Sequence, residues 1–215
     1  MRGIFMFTKQ EILDRIAEKR AKGELLEAGY NLACFIATAS MIDVKDKSGL
    51  DYAHHFMRVS RHNTDSEIKM IIGVLHDVIE DTEWELDDLR TLGFSERIIK
   101  GIEGVTHKNG ELYFDSIERC GLNADSVDVK LKDNFDNLSQ GRNKFLPTEK
   151  DLKRLQKYTV TRNYLIDIKK DFITAGTPIH EWMALKGPEM QNAALLQEHS
   201  TKYRIHTQSH NNNAP

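Results

Sequence analysis

Between Ser66 and Asp81 the chain reads Ser-Glu-Ile-Lys-Met-Ile-Ile-Gly-Val-Leu-His-Asp-Val-Ile-Glu-Asp, and this stretch constrains the fold more than any other. Ile68, Ile71, Ile72, Leu75 and Ile79 recur at the three- and four-residue spacing of one helix face, and Met70, Val74 and Val78 add a second stripe. A helix apolar over so much of its circumference belongs in the centre of a packed domain. Asp65 or Ser66 supplies its N-cap. Its far end carries His76, Asp77, Glu80 and Asp81. Such ionisable groups are seldom buried unless they are paired or bind metal. The fold has to enclose this helix and give its polar end a partner.

The rest of the chain supplies helices for that enclosure. Thr8 caps a first amphipathic helix, with Glu11 completing a capping box. Leu25–Ile42, Asp51–His62, Glu85–Leu92 (closed by Gly93), Ser95–Val105, Glu111–Cys120, Ser126–Ser139 and Glu149–Phe172 all carry helical spacing. Residues from Ile179 to about Ile205 read as a weaker helix, broken at Gly187-Pro188. Asp46-Lys47-Ser48-Gly49 reads as a turn, and Gln140 to Thr148 as a loop. With only 4 prolines in 215 residues, the pattern suits an all-α bundle better than a turn-rich β fold. One helical domain is expected over 1–205, with the motifs in about 45–139 and a C-terminal helical part in about 149–205. The polar residues 206–215 are expected to form a disordered tail.

A formal net charge of −3 gives no global basic field for DNA or RNA. No apolar run approaches the roughly 20 residues of a membrane span, and the N-terminus lacks the apolar core of a leader. Cys34 and Cys120 form no C-x-x-C pair, so free thiols in a reducing compartment are expected. The expectation is a soluble cytoplasmic protein that meets neither nucleic acid nor membrane, with a homo-oligomer left open.

On a continuous helix His76 would neighbour Glu80, and Asp77 would neighbour Asp81. Imidazole with carboxylate suits Mn²⁺, Fe²⁺ or Zn²⁺. The bland alternative, a solvated polar helix end, fits poorly with the flanking Val78 and Ile79. Two further segments add donors: Tyr52-Ala53-His54-His55 upstream, and Val129-Lys130-Leu131-Lys132-Asp133-Asn134-Phe135-Asp136-Asn137 downstream. Asp133 and Asn137 are four apart and share a face.

These segments resemble the HD-domain phosphohydrolases, and within them the RelA/SpoT-type alarmone hydrolases. That family's pattern runs Tyr-x-x-His, then Leu-His-Asp-x-x-Glu-Asp-Thr, then Gly-Val-Thr-Lys, then Val-Lys-Leu-x-Asp-x-x-x-Asn. The counterparts here are Tyr52–His55, Leu75–Thr82, Gly104-Val105-Thr106-His107-Lys108 and Val129–Asn137, in the same order. The resemblance implies an HD-type helical bundle with additional C-terminal helices. It implies one divalent ion, usually Mn²⁺ (with Fe²⁺, Zn²⁺ or Co²⁺ as alternatives), held by His55, His76, Asp77 and Asp133. Of His54 and His55, the spacing from Tyr52 selects His55. Glu80 and Asp81 match the acidic pair that positions or activates the attacking water. Asn137 matches a nucleotide-holding residue, and Lys45 and Lys47 match a basic stretch facing the substrate. Arg58 and Lys108 are further candidates for substrate contact. The implied activity is removal of the 3′-pyrophosphate from ppGpp by a small, hydrolase-only form, as no synthetase domain follows.

The chain also departs from the pattern. Phe56 replaces a Pro, His107 intrudes before Lys108, and Asp133-Asn134-Phe135-Asp136-Asn137 replaces Asp-Arg-Leu-His-Asn. No departure removes a metal ligand, but together they leave the nucleotide open. The alternatives are another HD-domain nucleotide phosphohydrolase, acting on a nucleoside mono- or triphosphate, and a non-catalytic nucleotide sensor.

Overall fold

The computed structural model describes residues 7–24, 27–46, 48–139 and 147–186. Among them are eleven helices: α1 (Lys9–Ala21), α2 (Tyr30–Ser40), α3 (Ala53–Arg61), α4 (Glu67–Leu75), α5 (Val78–Asp81), α6 (Leu86–Thr91), α7 (Glu96–Val105), α8 (Tyr113–Gly121), α9 (Ala124–Leu138), α10 (Glu149–Lys169) and α11 (Ile179–Leu185). Within the described residues the β contact is one isolated bridge between Lys45 and Asp51. The expected all-α class holds. None of the described helices is long and apolar enough to cross a membrane.

The apolar stretch occupies the centre, as its circumference demands. α4 packs against α2, α3, α7 and α9, and Ile71 to Leu75 are buried. Its cap is Ser66, which accepts the Lys69 N–H, while Asp65 pairs with the Lys69 ammonium instead. α3 crosses α4 at Gly73, where an added Cβ would come within 3.1 Å of Ser60 Cα and 3.2 Å of Ser60 N. Backbone therefore meets backbone there, and the C-terminal end of α4 is drawn close to α3.

Several helix ends differ from the sequence expectation. The central helix does not run to Asp81. It stops at Leu75, Asp77 lies in the bridge region at φ −101, ψ −6, and α5 follows as a single turn. The His76 ring takes the Gly73 carbonyl at 2.8 Å, the acceptor that the Asp77 N–H would use in an unbroken helix. α2 begins at Tyr30 because Gly29 is extended; Leu25 lies outside the described residues. α9 begins at Ala124, where the Asn123 side chain accepts the Ser126 N–H at 3.0 Å. α10 ends at Lys169, short of Phe172. Asp171 takes a left-handed φ of 57, and the Phe172 N–H returns to the Asp167 carbonyl at 2.9 Å. α6 closes the same way with Gly93 at φ 99 and Phe94 bonded back to Leu89 at 3.1 Å.

α10 lies along α8 and α9, and α11 meets its far end through Trp182. Trp182 is fully buried there and donates to Asp167 at 2.8 Å. Lys47, most of the 140–148 loop, and everything after 186, including the expected helix to about 205 and the tail, lie outside the described residues.

Candidate metal centre

The end of α4 meets α3 and α9 at the floor of a cleft of about 380 Å³. His55 comes from α3, His76 and Asp77 from the α4–α5 junction, and Asp133 from the middle of α9. His55 Nε2 lies 3.3 Å from Asp133 Oδ1 and 3.6 Å from Asp77 Oδ2. His76 Nε2 lies 2.8 Å from Asp77 Oδ2 and 3.8 Å from Asp133 Oδ1. His55, His76 and Asp77 each place one ligating atom within 4.8 Å of the others, and Asp133 Oδ1 stands beside both imidazoles, so the set can share one cation. His54, the neighbour of His55, is exposed.

A buried orphan atom tests the fit. His76 is almost completely buried, and its Nε2 has no hydrogen-bond partner although Asp77 Oδ2 is only 2.8 Å away. The contact is close without hydrogen-bond alignment, as expected of two atoms sharing a cation. The other nitrogen, Nδ1, donates to the Gly73 carbonyl, which leaves Nε2 as the ligating atom. Charge points the same way. Burial works against a charged His76, yet Asp77 and Asp133 raise its pKa to about 9. Burial also opposes ionised Asp77 and Asp133, yet His76 and Lys130 respectively hold them below the usual carboxylate range. The C-terminal end of α4 adds its partial negative charge. These surroundings favour positive charge where His55, His76 and Asp77 meet, with Asp133 beside them, so the residues fit a divalent cation.

Each donor is held from behind. His55 Nδ1 meets Asp136 Oδ2 at 2.7 Å, and Asp136 in turn accepts from Arg58 Nε at 2.5 Å and Nη2 at 3.1 Å. The Tyr52 hydroxyl donates to Asp77 Oδ2 at 2.5 Å. Lys130 Nζ reaches Asp133 Oδ2 at 2.8 Å, and Asn137 Nδ2 donates to Asp133 Oδ1 at 2.5 Å.

The remaining sequence candidates divide. Glu80, Asp81, Lys45 and Asn137 line the cleft. Glu80 accepts the His107 N–H at 3.0 Å. Asp81 reaches solvent, but protein crowds it; desolvation, then the Asp77 and Glu80 carboxylates, lift its pKa to about 6. Lys45 is ion-paired with Asp51. Arg58 is not among the lining residues; its guanidinium grips Asp136. Lys108 likewise sits off the lining, paired with Glu103 at 2.8 Å. The cleft also gains Tyr52, Lys130, His107, Tyr113 and Tyr158, none of which the sequence candidates include. Tyr52, Lys130 and His107 lay within the quoted motifs. Tyr113 and Tyr158 carry no local signal, since they reach the cleft through the packing of α8 and α10.

No protein-family model matches the chain, and no curated protein matches it. A solved structure does: a metazoan ortholog of SpoT that hydrolyses ppGpp and plays a role in starvation responses. It aligns with a TM-score of 0.53 at 20% sequence identity, covering 74% of this chain and 95% of its own. At that identity the likeness is one of fold, and the helical architecture described above is shared with that protein.

Proposed function

We propose that the chain is a metal-dependent phosphohydrolase that converts guanosine 3′,5′-bis(diphosphate) to GDP and pyrophosphate. One observation carries the reading: His55, Asp77 and Asp133 line a cleft that Glu80 and Asp81 also line, and the buried His76 brings its Nε2 to 2.8 Å from Asp77 Oδ2 and 3.8 Å from Asp133 Oδ1. The motif resemblance supports the substrate, as does the fold shared with a SpoT ortholog that hydrolyses ppGpp.

His55, His76, Asp77 and Asp133 would hold a divalent ion, with Mn²⁺ the expected one. When bound, that ion supplies Lewis acidity toward a phosphate oxygen and acidifies a nearby water. The side chains do the rest. Glu80 and Asp81 orient the attacking water and accept its proton. A carboxylate with a pKa of about 6 is ionised at neutral pH yet basic enough to take that proton. The new P–O bond forms as the bond to the 3′-oxygen breaks, and the 3′-oxygen leaves with the proton that the carboxylate took from the water. Lys45 and Lys130 set positive charge beside the transferred group. Asn137, tied to Asp133, faces the nucleotide.

One observation favours a different nucleotide phosphate. Among the described residues, the two lysines lining the cleft each face a carboxylate, Lys45 with Asp51 and Lys130 with Asp133, and Lys108 turns to Glu103. A less highly charged nucleotide would need fewer cations than ppGpp. The test is a Mn²⁺ assay across ppGpp, GTP, GDP and nucleoside monophosphates, with Asp77→Ala alongside. Pyrophosphate release from ppGpp, abolished in D77A, is the expected result. Turnover of another nucleotide, likewise lost in D77A, replaces the substrate. Hydrolysis unchanged by D77A overturns the metal reading. Mn²⁺ binding with no turnover of any nucleotide makes the chain a sensor.

A further inference from the structure

Arg58 and Asp136 lie on α3 and α9, and neither lines the cleft. Asp136 is 4% exposed, and burying a carboxylate is unfavourable unless it is paired and hydrogen-bonded. Among its partners, Arg58 and His55 differ in purpose. Arg58 grips it through Nε at 2.5 Å and Nη2 at 3.1 Å, a two-nitrogen contact with fixed geometry. The second partner is His55 Nδ1, 2.7 Å from Asp136 Oδ2. An ionised carboxylate only accepts hydrogen bonds, so His55 donates from Nδ1 and turns Nε2 toward Asp77 and Asp133. The other imidazole is locked in the same tautomer by a backbone carbonyl, Gly73 O. His55 has a side-chain ion pair in that place. Arg58 extends toward a second carboxylate, Asp46 Oδ2, at 3.7 Å, so the guanidinium is held from both sides.

We infer that Arg58 and Asp136 form a positioning pair that fixes the tautomer and direction of His55 as a metal ligand. The inference rests on the metal reading of the site. Arg58 acts through Asp136, and Asp136 through His55; neither touches the reacting atoms. The competing view makes the pair a staple between α3 and α9. A staple would contribute equally with or without metal. A positioning pair acts on metal affinity and on the His55 tautomer.

The experiment measures the Mn²⁺ dissociation constant by isothermal titration for the wild type, Asp136→Asn, Arg58→Met and Arg58→Lys. Melting temperatures in EDTA and in excess Mn²⁺, and the histidine ring ¹⁵N shifts of the metal-free proteins, are recorded alongside. Outer partners of metal-bound histidines typically set about 10–100-fold in affinity. D136N is expected to weaken Mn²⁺ by that factor and to lose the single Nδ1–H form of His55. R58M is expected to weaken Mn²⁺ less, with R58K restoring part of the loss. If D136N does not fold, R58M against R58K carries the test. Equal Mn²⁺ affinity in wild type and folded variants, with only the EDTA melting temperature lowered, overturns the positioning role. A wild type that binds no divalent ion overturns the metal reading itself, a different and separable result.

Discussion

At the scale of single residues, the proposed centre separates groups that would hold a cation from groups that would handle a proton. His55, His76 and Asp133 are buried and Asp77 is half-buried, whereas Glu80 and Asp81 stand at the solvent edge. Glu80→Gln and Asp81→Asn are therefore expected to keep Mn²⁺ affinity within a few-fold. Their kcat is expected to drop by about 10²–10⁴, the usual range for losing a positioned acid or base. Titration with Mn²⁺ next to steady-state kinetics checks this, and an equal loss of metal affinity would count against the division. The candidate donors were legible in the sequence because chemistry of this kind clusters within short motifs: His76 and Asp77 are adjacent, and Asp133 sits four residues from Asn137. Arg58 was legible as a cation near the site, but not as the partner of Asp136. That pairing spans two helices and depends on the angle at which α3 meets α9. Tyr113 was illegible for the same reason. Its side chain reaches the cleft by tertiary packing, and its hydroxyl bonds to Thr161 of α10 at 3.0 Å.

At the scale of elements, two contacts govern how the helices present these groups. The first is the crossing of α3 and α4 at Gly73. Gly73→Ala would drive a methyl into Ser60 backbone that cannot rotate away. A loss of about 1–3 kcal/mol is expected from overpacking, together with weaker Mn²⁺ binding as His55 moves away from His76. Urea unfolding and metal titration of G73A read both effects, and full retention of metal affinity would detach the crossing from the site. The second is Asp128 on α9, which bridges Lys69 of α4 at 2.8 Å and also meets Lys169 of α10. Burial opposes its ionisation, but the two lysines, Lys169 foremost, hold its pKa below the usual range. A carboxylate depressed in the folded state stabilises the fold above its unfolded value of about 3.9, and that contribution fades as pH falls through the folded-state value. Asp128→Asn should lose about 1 kcal/mol at pH 7, allowing for solvent screening. The gap to wild type should close toward pH 3. A constant gap across that range, in urea unfolding at pH 7, 5 and 3, would contradict it. Helix centres were readable from periodicity, but ends were not always. Gly93 announces the close of α6, while Asp171 closes α10 in the same left-handed conformation without the residue that usually signals it. The break at His76 was hidden because apolar spacing continues across it through Val78 and Ile79, while a side-chain bond to Gly73 O ends the helix.

At the scale of the whole molecule, the proposed metal site would link cation binding to folding. A metal that binds only the native state stabilises it by about 2.7 kcal/mol at a hundredfold excess over its dissociation constant. The melting temperature is therefore expected to rise with Mn²⁺ and to fall back in EDTA, and D77A should show no such rise. A metal-independent melting temperature in wild type would mean that the centre does not hold Mn²⁺. The all-α class was plain from periodicity and scarce proline. The arrangement of helices around α4 was only implied, because periodicity shows that a helix is buried without naming its neighbours. One feature of that arrangement bears on time as well as on equilibrium. The donors come from α3, the α4–α5 junction and α9, segments far apart along the chain, and no single stretch brings all of them together. A chain still collapsing has nothing for the ion to bind until those three segments have docked. Mn²⁺ should then leave the refolding rate unchanged and slow unfolding, acting as a latch on the finished molecule and leaving its nucleus untouched.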